Sequence, residues 1–267
     1  MIKDLAKPTW KDDMVQSLFL KSLLHGEKTN MAPIRVFANW DKRSSDDLNQ
    51  VEPYRTYYFL CEGENTERWY FKKLIENQKV LHLNPGIDVH FLERTDDDLH
   101  NSNPRKLLNY ANQLIDSIQG FDKEYDKIVI VFDADIFTLK DESDELFALI
   151  DEMETQGHIV ALTNPSFELF LLLHVPNSVI DIIIPQSDQI LKNKKINKSK
   201  RYVEKLLSDT VKCNPKKNPK IGDLCLKLHI AEEQEQKINR DIKKADVEIT
   251  SNICKILQDI RAERGHI

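Results

Sequence analysis

From Tyr54 onward, short apolar runs of strand character alternate with longer stretches in which apolar residues recur every three or four positions. Residues 56–61 are rich in β-branched and aromatic side chains and read as a first strand. The following spacing predicts a helix over 67–77, with Tyr70, Phe71, Leu74 and Ile75 on one face and Thr66 as its cap. Residues 87–92 form the second predicted strand. Asn103 and Pro104 then supply a cap and a first-turn proline for a helix carrying Leu107, Leu108, Ala111, Leu114, Ile115 and Ile118. The third strand, 128–132, is continuously apolar, as a central parallel strand covered on both faces should be, and it ends abruptly in Asp133-Ala134-Asp135. A helix over 142–154, a strand over 158–162 and a helix with its body at 167–173, opened by Asn164 and Pro165, complete the alternation.

Strand followed by helix, four times over, predicts an α/β fold: an open parallel sheet with helices on both faces and right-handed crossovers. Three segments follow. Residues 1–53 are an N-terminal appendage and linker, with an amphipathic helix carrying Val15, Leu18, Phe19, Leu23 and Leu24. Residues 54–185 form the core, and residues 186–267 a basic segment and a C-terminal helical extension. Within that extension, Ile238, Ile242, Ala245, Ile249, Ile253, Ile256 and Ile260 suggest one long helix over 230–263, laid back on the sheet or forming the seam of a homodimer.

Composition narrows the function classes. At 40% hydrophobic and 31% charged residues the chain is globular, and its 7 glycines form neither a dinucleotide-binding fingerprint nor a phosphate loop. No apolar run approaches the roughly 18 residues that cross a bilayer, and residues 1–10 lack a signal-peptide core, so a cytoplasmic protein without membrane contact is expected. Cys61, Cys213, Cys225 and Cys254 are scattered, as reduced thiols are, so a bound metal should be held by oxygen. The net charge of -6 conceals a segregation: residues 192–220 hold eleven Lys or Arg against two acids, leaving -15 for the remainder. Such a chain presents carboxylates in one place and grips a polyanion in another, unless the lysines only solvate a loop.

Open parallel sheets place their sites beyond the carboxyl ends of the strands. Glu62, Asp133, Asp135, Asn164 and Glu168 should therefore face one crevice. Two carboxylates at the end of a buried strand repel unless a cation neutralises them, and Mg²⁺ suits the arrangement because it takes one or two carboxylates plus waters and phosphate oxygens. The plain alternative is a solvated turn at Asp133 and Asp135, and for Glu168 a charge that only caps its helix. A strand-end acidic pair also occurs in phosphatases of the haloacid-dehalogenase type and in metal-dependent glycosyltransferases, so alone it does not choose among them.

Taken together, Cys61-Glu62-Gly63-Glu64-Asn65-Thr66-Glu67, Phe132-Asp133-Ala134-Asp135, and the run from Asn164-Pro165-Ser166-Phe167-Glu168 to His174 resemble the Toprim motifs, and among these the RloB-type branch associated with abortive-infection phage defence. The resemblance covers residues 54–174, with a weaker match onward. It implies a nuclease, a hydrolase dependent on Mg²⁺ or Mn²⁺, with RNA and tRNA favoured over DNA. It also implies an ATPase partner encoded alongside, acting on a toxic effector. Glu62 matches the strand-one glutamate, as metal ligand or general base; Asp133 and Asp135 match the metal-binding pair; Glu67 fits the second acidic position of the nuclease branch. Phe137 stands where other members carry a third Asp, which leaves Glu168 to supply the missing ligand. His174, at a helix end where an imidazolium is favoured, is a secondary catalytic candidate or a structural residue. For nucleic acid the candidates are Lys194, Lys195, Lys198, Lys200 and Arg201, with Tyr202 to stack a base. The rival readings are a phosphoryl or glycosyl transferase using Asp133 and Asp135, and a non-catalytic RNA-binding adaptor.

Overall fold

A computed structural model of the chain describes residues 54–63, 65–82, 87–92, 103–138, 140, 142–197 and 200–263. The N-terminal appendage over residues 1–53 and Lys198 lie outside them. Five strands make one sheet: β1 (Arg55–Cys61), β2 (Ile87–Phe91), β3 (Lys127–Asp133), β4 (Ile159–Asn164) and β5 (Thr250–Ser251), in the order β2-β1-β3-β4-β5. The first four run parallel, with β1 and β3 central; β5 is added antiparallel on β4.

Side-chain alternation divides the interior into two cores. Tyr57, Phe59 and Cys61 of β1, with Val129 and Val131 of β3, face helices α1 (Thr66–Glu76) and α4 (Phe167–Leu172). Leu60, Ile128, Ile130 and Phe132 face α2 (Pro104–Ser117) and α3 (Ser143–Thr155) on the other side. Burying each large apolar side chain contributes about 1.5–3 kcal/mol, so the part of a strand covered on both faces must be apolar, as β3 is from Ile128 to Phe132. Asn103 caps α2 as its sequence suggests, its side chain accepting the Arg105 amide at 2.8 Å. Thr66 does not cap α1. It lies inside the first turn, buried, and its hydroxyl donates to the Pro215 carbonyl at 3.1 Å.

The C-terminal third packs into the first core and corrects one expectation. It contributes α5 (Tyr202–Val211), α6 (Leu228–Glu235) and α7 (Ile253–Ala262), and it supplies Val203, Leu207, Leu228, Ile253 and Leu257 to the first core. The single long helix over 230–263 is replaced by α6, a turn at Ile242–Lys244, β5 and α7. Asn239 and Asp241 accept the amides of Asp241 and Lys243 at 2.9 and 3.0 Å, which offers the backbone a turn in place of a helix. Thr250 and Ser251 then pair with β4. Asn252 continues the edge with its side chain alone, accepting the Leu162 amide and donating to the Val160 carbonyl, each at 2.8 Å.

Glu235, fully buried, fastens this region. Its carboxylate accepts the Ser251 hydroxyl at 2.7 Å and the amides of Cys254 and Lys255, both at 2.9 Å, at the N-terminus of α7. Arg240 lies 3.4 Å away. All four cysteines are free. Among the described residues no helix is long and apolar enough to cross a membrane.

Candidate functional site

The carboxyl ends of β1, β3 and β4 meet at one edge. Glu62 follows β1, and its amide continues the ladder onto the Val131 carbonyl of β3 at 3.0 Å. Its side chain thus starts beside the end of β3, where the Asp133 amide donates to Glu62 Oε2 at 3.4 Å. Asp133 closes β3 in register with Thr163 of β4, whose hydroxyl donates to Asp133 Oδ1 at 2.7 Å. Ala134 is buried, and Asp135 opens the single turn Asp135–Thr138. Phe137, in that turn, is packed into the second core and takes no part in the site.

These residues line a cavity of about 360 Å³ that also receives Gly63, Asn65, Thr66 and Glu67 from the start of α1, Ser166 and Glu168 from the start of α4, and Arg201, Glu204 and Lys216 from the C-terminal third. Glu168 is buried and accepts the Ser166 hydroxyl at 2.7 Å. Gly63 has a steric reason: a Cβ there would overlap the Glu67 carboxylate. Six carboxyl groups and two basic side chains line the cavity, an excess of four acids over bases.

The crowding perturbs its members. Burial, and then the charges of Glu67, Asp135, Glu168 and Glu62, hold the Asp133 carboxyl well above the ordinary carboxylate range. Asp135 is also raised, mainly by burial; Arg201, its partner at 3.5 Å, opposes that, and so does Asn193, whose side-chain nitrogen faces it without a well-formed hydrogen bond. Burial tends to discharge Lys216, yet Glu168, Glu204 and Glu67 more than offset it and raise its pKa. Lys216 stands 3.4 Å from Glu204, which is buried.

The structure thus gathers Glu62, Glu67, Asp133, Asp135 and Glu168. It does not bring His174 there. That residue is fully buried, accepting the Tyr70 hydroxyl on Nε2 at 2.8 Å and facing the Phe170 carbonyl through Nδ1 at 3.2 Å. Burial pushes its pKa down to about 3, so it is a neutral core residue rather than an imidazolium at an open helix end. Of the basic candidates, Arg201 enters the cavity. Lys194, Lys195 and Lys200 sit on the turn that leads into it, the first two exposed, closed by a bridge between Lys195 and Arg201. Tyr202 is partly buried against the first core, its hydroxyl donating to Gln186 at 2.5 Å.

Glu204 and Lys216 escaped the sequence reading. A signal for Glu204 was there: it is three residues before Leu207 and next to Val203, on the apolar face of α5. Nothing comparable marks Lys216.

Among the described residues, no three His, Cys, Asp or Glu side chains form a group arranged to hold a metal ion. The donor set is nonetheless that of a hard divalent cation: carboxylate oxygens in excess over basic groups, with Asp133 and Asp135 raised in pKa, by burial above all. Mg²⁺ needs just one or two carboxylates from the protein, a share that Asp133 and Asp135 fit, with Glu62 beside them.

The family model for RloB-like protein matches residues 57–260, from β1 nearly to the end of α7, and so includes every residue of the cavity. Comparison with curated proteins gave no match, nor did comparison with solved structures.

Proposed function

Because the chain belongs to the RloB-like family and gathers six carboxylates in one cavity, we propose that it is a metal-dependent nuclease cleaving phosphodiester bonds, RNA and tRNA before DNA, as the toxic effector of an antiphage system. The observation that carries this reading is Asp133: withdrawn from water and surrounded by like charges, it lacks a full complement of positive charge. A protein tolerates that cost where a ligand removes it. A bound Mg²⁺ or Mn²⁺ would supply charge for the oxygens that become negative as phosphorus is displaced. Asp133 and Asp135 would hold it. Thr163 and Ser166 orient Asp133 and Glu168 by single hydrogen bonds. Glu62, beside Asp133 at the cavity wall, is placed to bind the same ion or to take a proton from the attacking hydroxyl. Arg201 and Lys216 can meet non-bridging phosphate oxygens, while Lys194, Lys195 and Lys200 extend positive charge outward along the strand's path. The preference for RNA, the defence role and an ATPase partner rest on the sequence resemblance.

The test is to incubate purified full-length protein with total tRNA, total RNA, plasmid and linear DNA, each with Mg²⁺, Mn²⁺ or EDTA, beside Asp133→Ala. Cleavage of RNA that needs the divalent ion and vanishes in the variant is expected. Cleavage unchanged by Asp133→Ala would overturn the reading, and binding without cleavage in both proteins would favour an adaptor.

A further inference from the structure

The acids of the crevice are not held alike. Thr163 and Ser166 donate to Asp133 and Glu168 at 2.7 Å, which fixes both carboxylates by formed hydrogen bonds. Asp135 has looser company. The Arg201 guanidinium stands 3.5 Å from its Oδ2, an ion pair rather than a hydrogen bond, and the side-chain nitrogen of Asn193, a residue 1% exposed, faces it without a formed bond. Lys216 also acts on Asp135, more weakly than Arg201. Both close neighbours come from the turn that carries the lysines. Asn193 opens that turn and clasps its far end, accepting the Val203 amide on Oδ1 at 3.1 Å, while the Tyr202 amide donates to the Lys194 carbonyl at 3.0 Å and the Ile196 amide to the Lys200 carbonyl at 2.9 Å. The backbone of Arg201 is thereby anchored at the cavity rim. Its Nη1 donates to the Asn193 carbonyl at 3.3 Å, and its side chain is 35% exposed. One guanidinium thus stands where the lysine-bearing turn meets the acidic pair.

A divalent ion bound by Asp135 repels Arg201 and supplies the positive charge of which the guanidinium is now the closest source. The pair is loose enough to part, and a guanidinium released on an anchored backbone offers a planar fork of donors to phosphate oxygens. We propose that Arg201 is an exchangeable partner: it answers Asp135 before an ion enters, and it passes to a phosphate of the nucleic-acid strand once an ion takes Asp135. The inference rests on the metal-dependent reading above and adds an order to it, ion before strand. The ion then governs how firmly the strand is gripped, and by linkage the strand tightens the ion by the same factor.

Binding of a single-stranded RNA oligonucleotide to the full chain, followed by fluorescence anisotropy in EDTA and in Ca²⁺ at matched ionic strength, tests this apart from catalysis, with gel electrophoresis to show the RNA intact. Arg201→Gln should weaken binding by less than about twofold in EDTA, where the guanidinium serves Asp135, and by about tenfold in Ca²⁺, where it serves the strand. The charge of the ion favours both proteins alike, so the difference between the two conditions isolates Arg201. Mn²⁺ titration without RNA should show the glutamine variant binding the ion about tenfold more tightly than the wild type. Should that variant fail to fold, Arg201→Lys keeps the charge and loses the fork, and the same pattern is expected with a loss of about threefold in Ca²⁺. An equal loss in EDTA and in Ca²⁺ would overturn the inference while leaving a metal-dependent enzyme intact, as would an unchanged Mn²⁺ affinity in Arg201→Gln. If the wild type binds no Mn²⁺, the metal-dependent reading itself fails, and this inference with it.

Discussion

Glu235 and Asp133 are both carboxylates withdrawn from water, and their surroundings differ in kind. Around Glu235 stand donors: a serine hydroxyl, two amides at the start of α7, and Arg240. Around Asp133 stand mostly other acids, with one threonine hydroxyl and one long contact from its amide to Glu62. Burial raises the pKa of both. At Glu235 the hydrogen bonds and Arg240 work against that rise; at Asp133 the neighbouring charges add to it. The first arrangement is how a fold secures a buried charge for its own stability, and the second is how it keeps one in want of a ligand.

Substitution at each should separate the two roles. Asp133→Asn removes a repelled charge at nearly constant volume. Metal-dependent cleavage should fall about a thousandfold, while the metal-free protein melts about 3 °C higher, as calorimetry in EDTA would show. A variant that is both inactive and less stable would place Asp133 among structural residues. Glu235→Ala should do the reverse, lowering stability by about 3 kcal/mol in denaturant titrations through loss of charge-assisted bonds, with Mn²⁺ affinity unchanged.

A third comparison concerns pH. The folded-state pKa of His174, about 3, lies below the ordinary histidine value of 6.5, so the unfolded chain binds a proton that the native state refuses. Its contribution is complete above pH 6.5 and is lost as pH falls toward 3, amounting to about 2 kcal/mol at pH 5. Asp133 and Asp135, whose pKa values burial and neighbouring acids raise, act in the opposite sense: their unfavourable charge is relieved as pH falls. His174→Phe should therefore lose less stability between pH 7 and 5 than the wild type does, whereas Asp133→Asn should lose more. Equal slopes in all three proteins would contradict both assignments. The smallest effect is expected for Gly63→Ala. The new methyl group meets only the end of a flexible side chain, so stability should change by under about 1 kcal/mol, but Glu67 must move, and cleavage should fall about tenfold.

The four parallel strands and the helices between them were legible because periodicity is a local signal, and the strand-end acids were legible because an open sheet sends strand ends to one edge. The described residues between Tyr54 and His174 could be read in that way. The rest obeys longer-range rules. Glu204 and Lys216 reach the cavity across separations that no local pattern encodes, and a lysine-rich stretch looks the same whether its members face water or carboxylates. The apolar rhythm from Ile238 to Ile260 persists through a turn and a strand, so period alone joined what Asn239, Asp241 and Asn252 divide. Of the two readings of His174 the structural one fits, because the dipole argument for an imidazolium assumes an open helix end, and α4 is buried along its whole length.

The side-chain amide of Asn252 bears on how copies of this protein can meet. It spends both its donor and its acceptor on the β4 backbone, at Leu162 and Val160, where another chain would otherwise lay its own main chain. An intruding strand must first evict an amide already matched to both groups, so that flank of the sheet is proofed against runaway accretion at the cost of one asparagine.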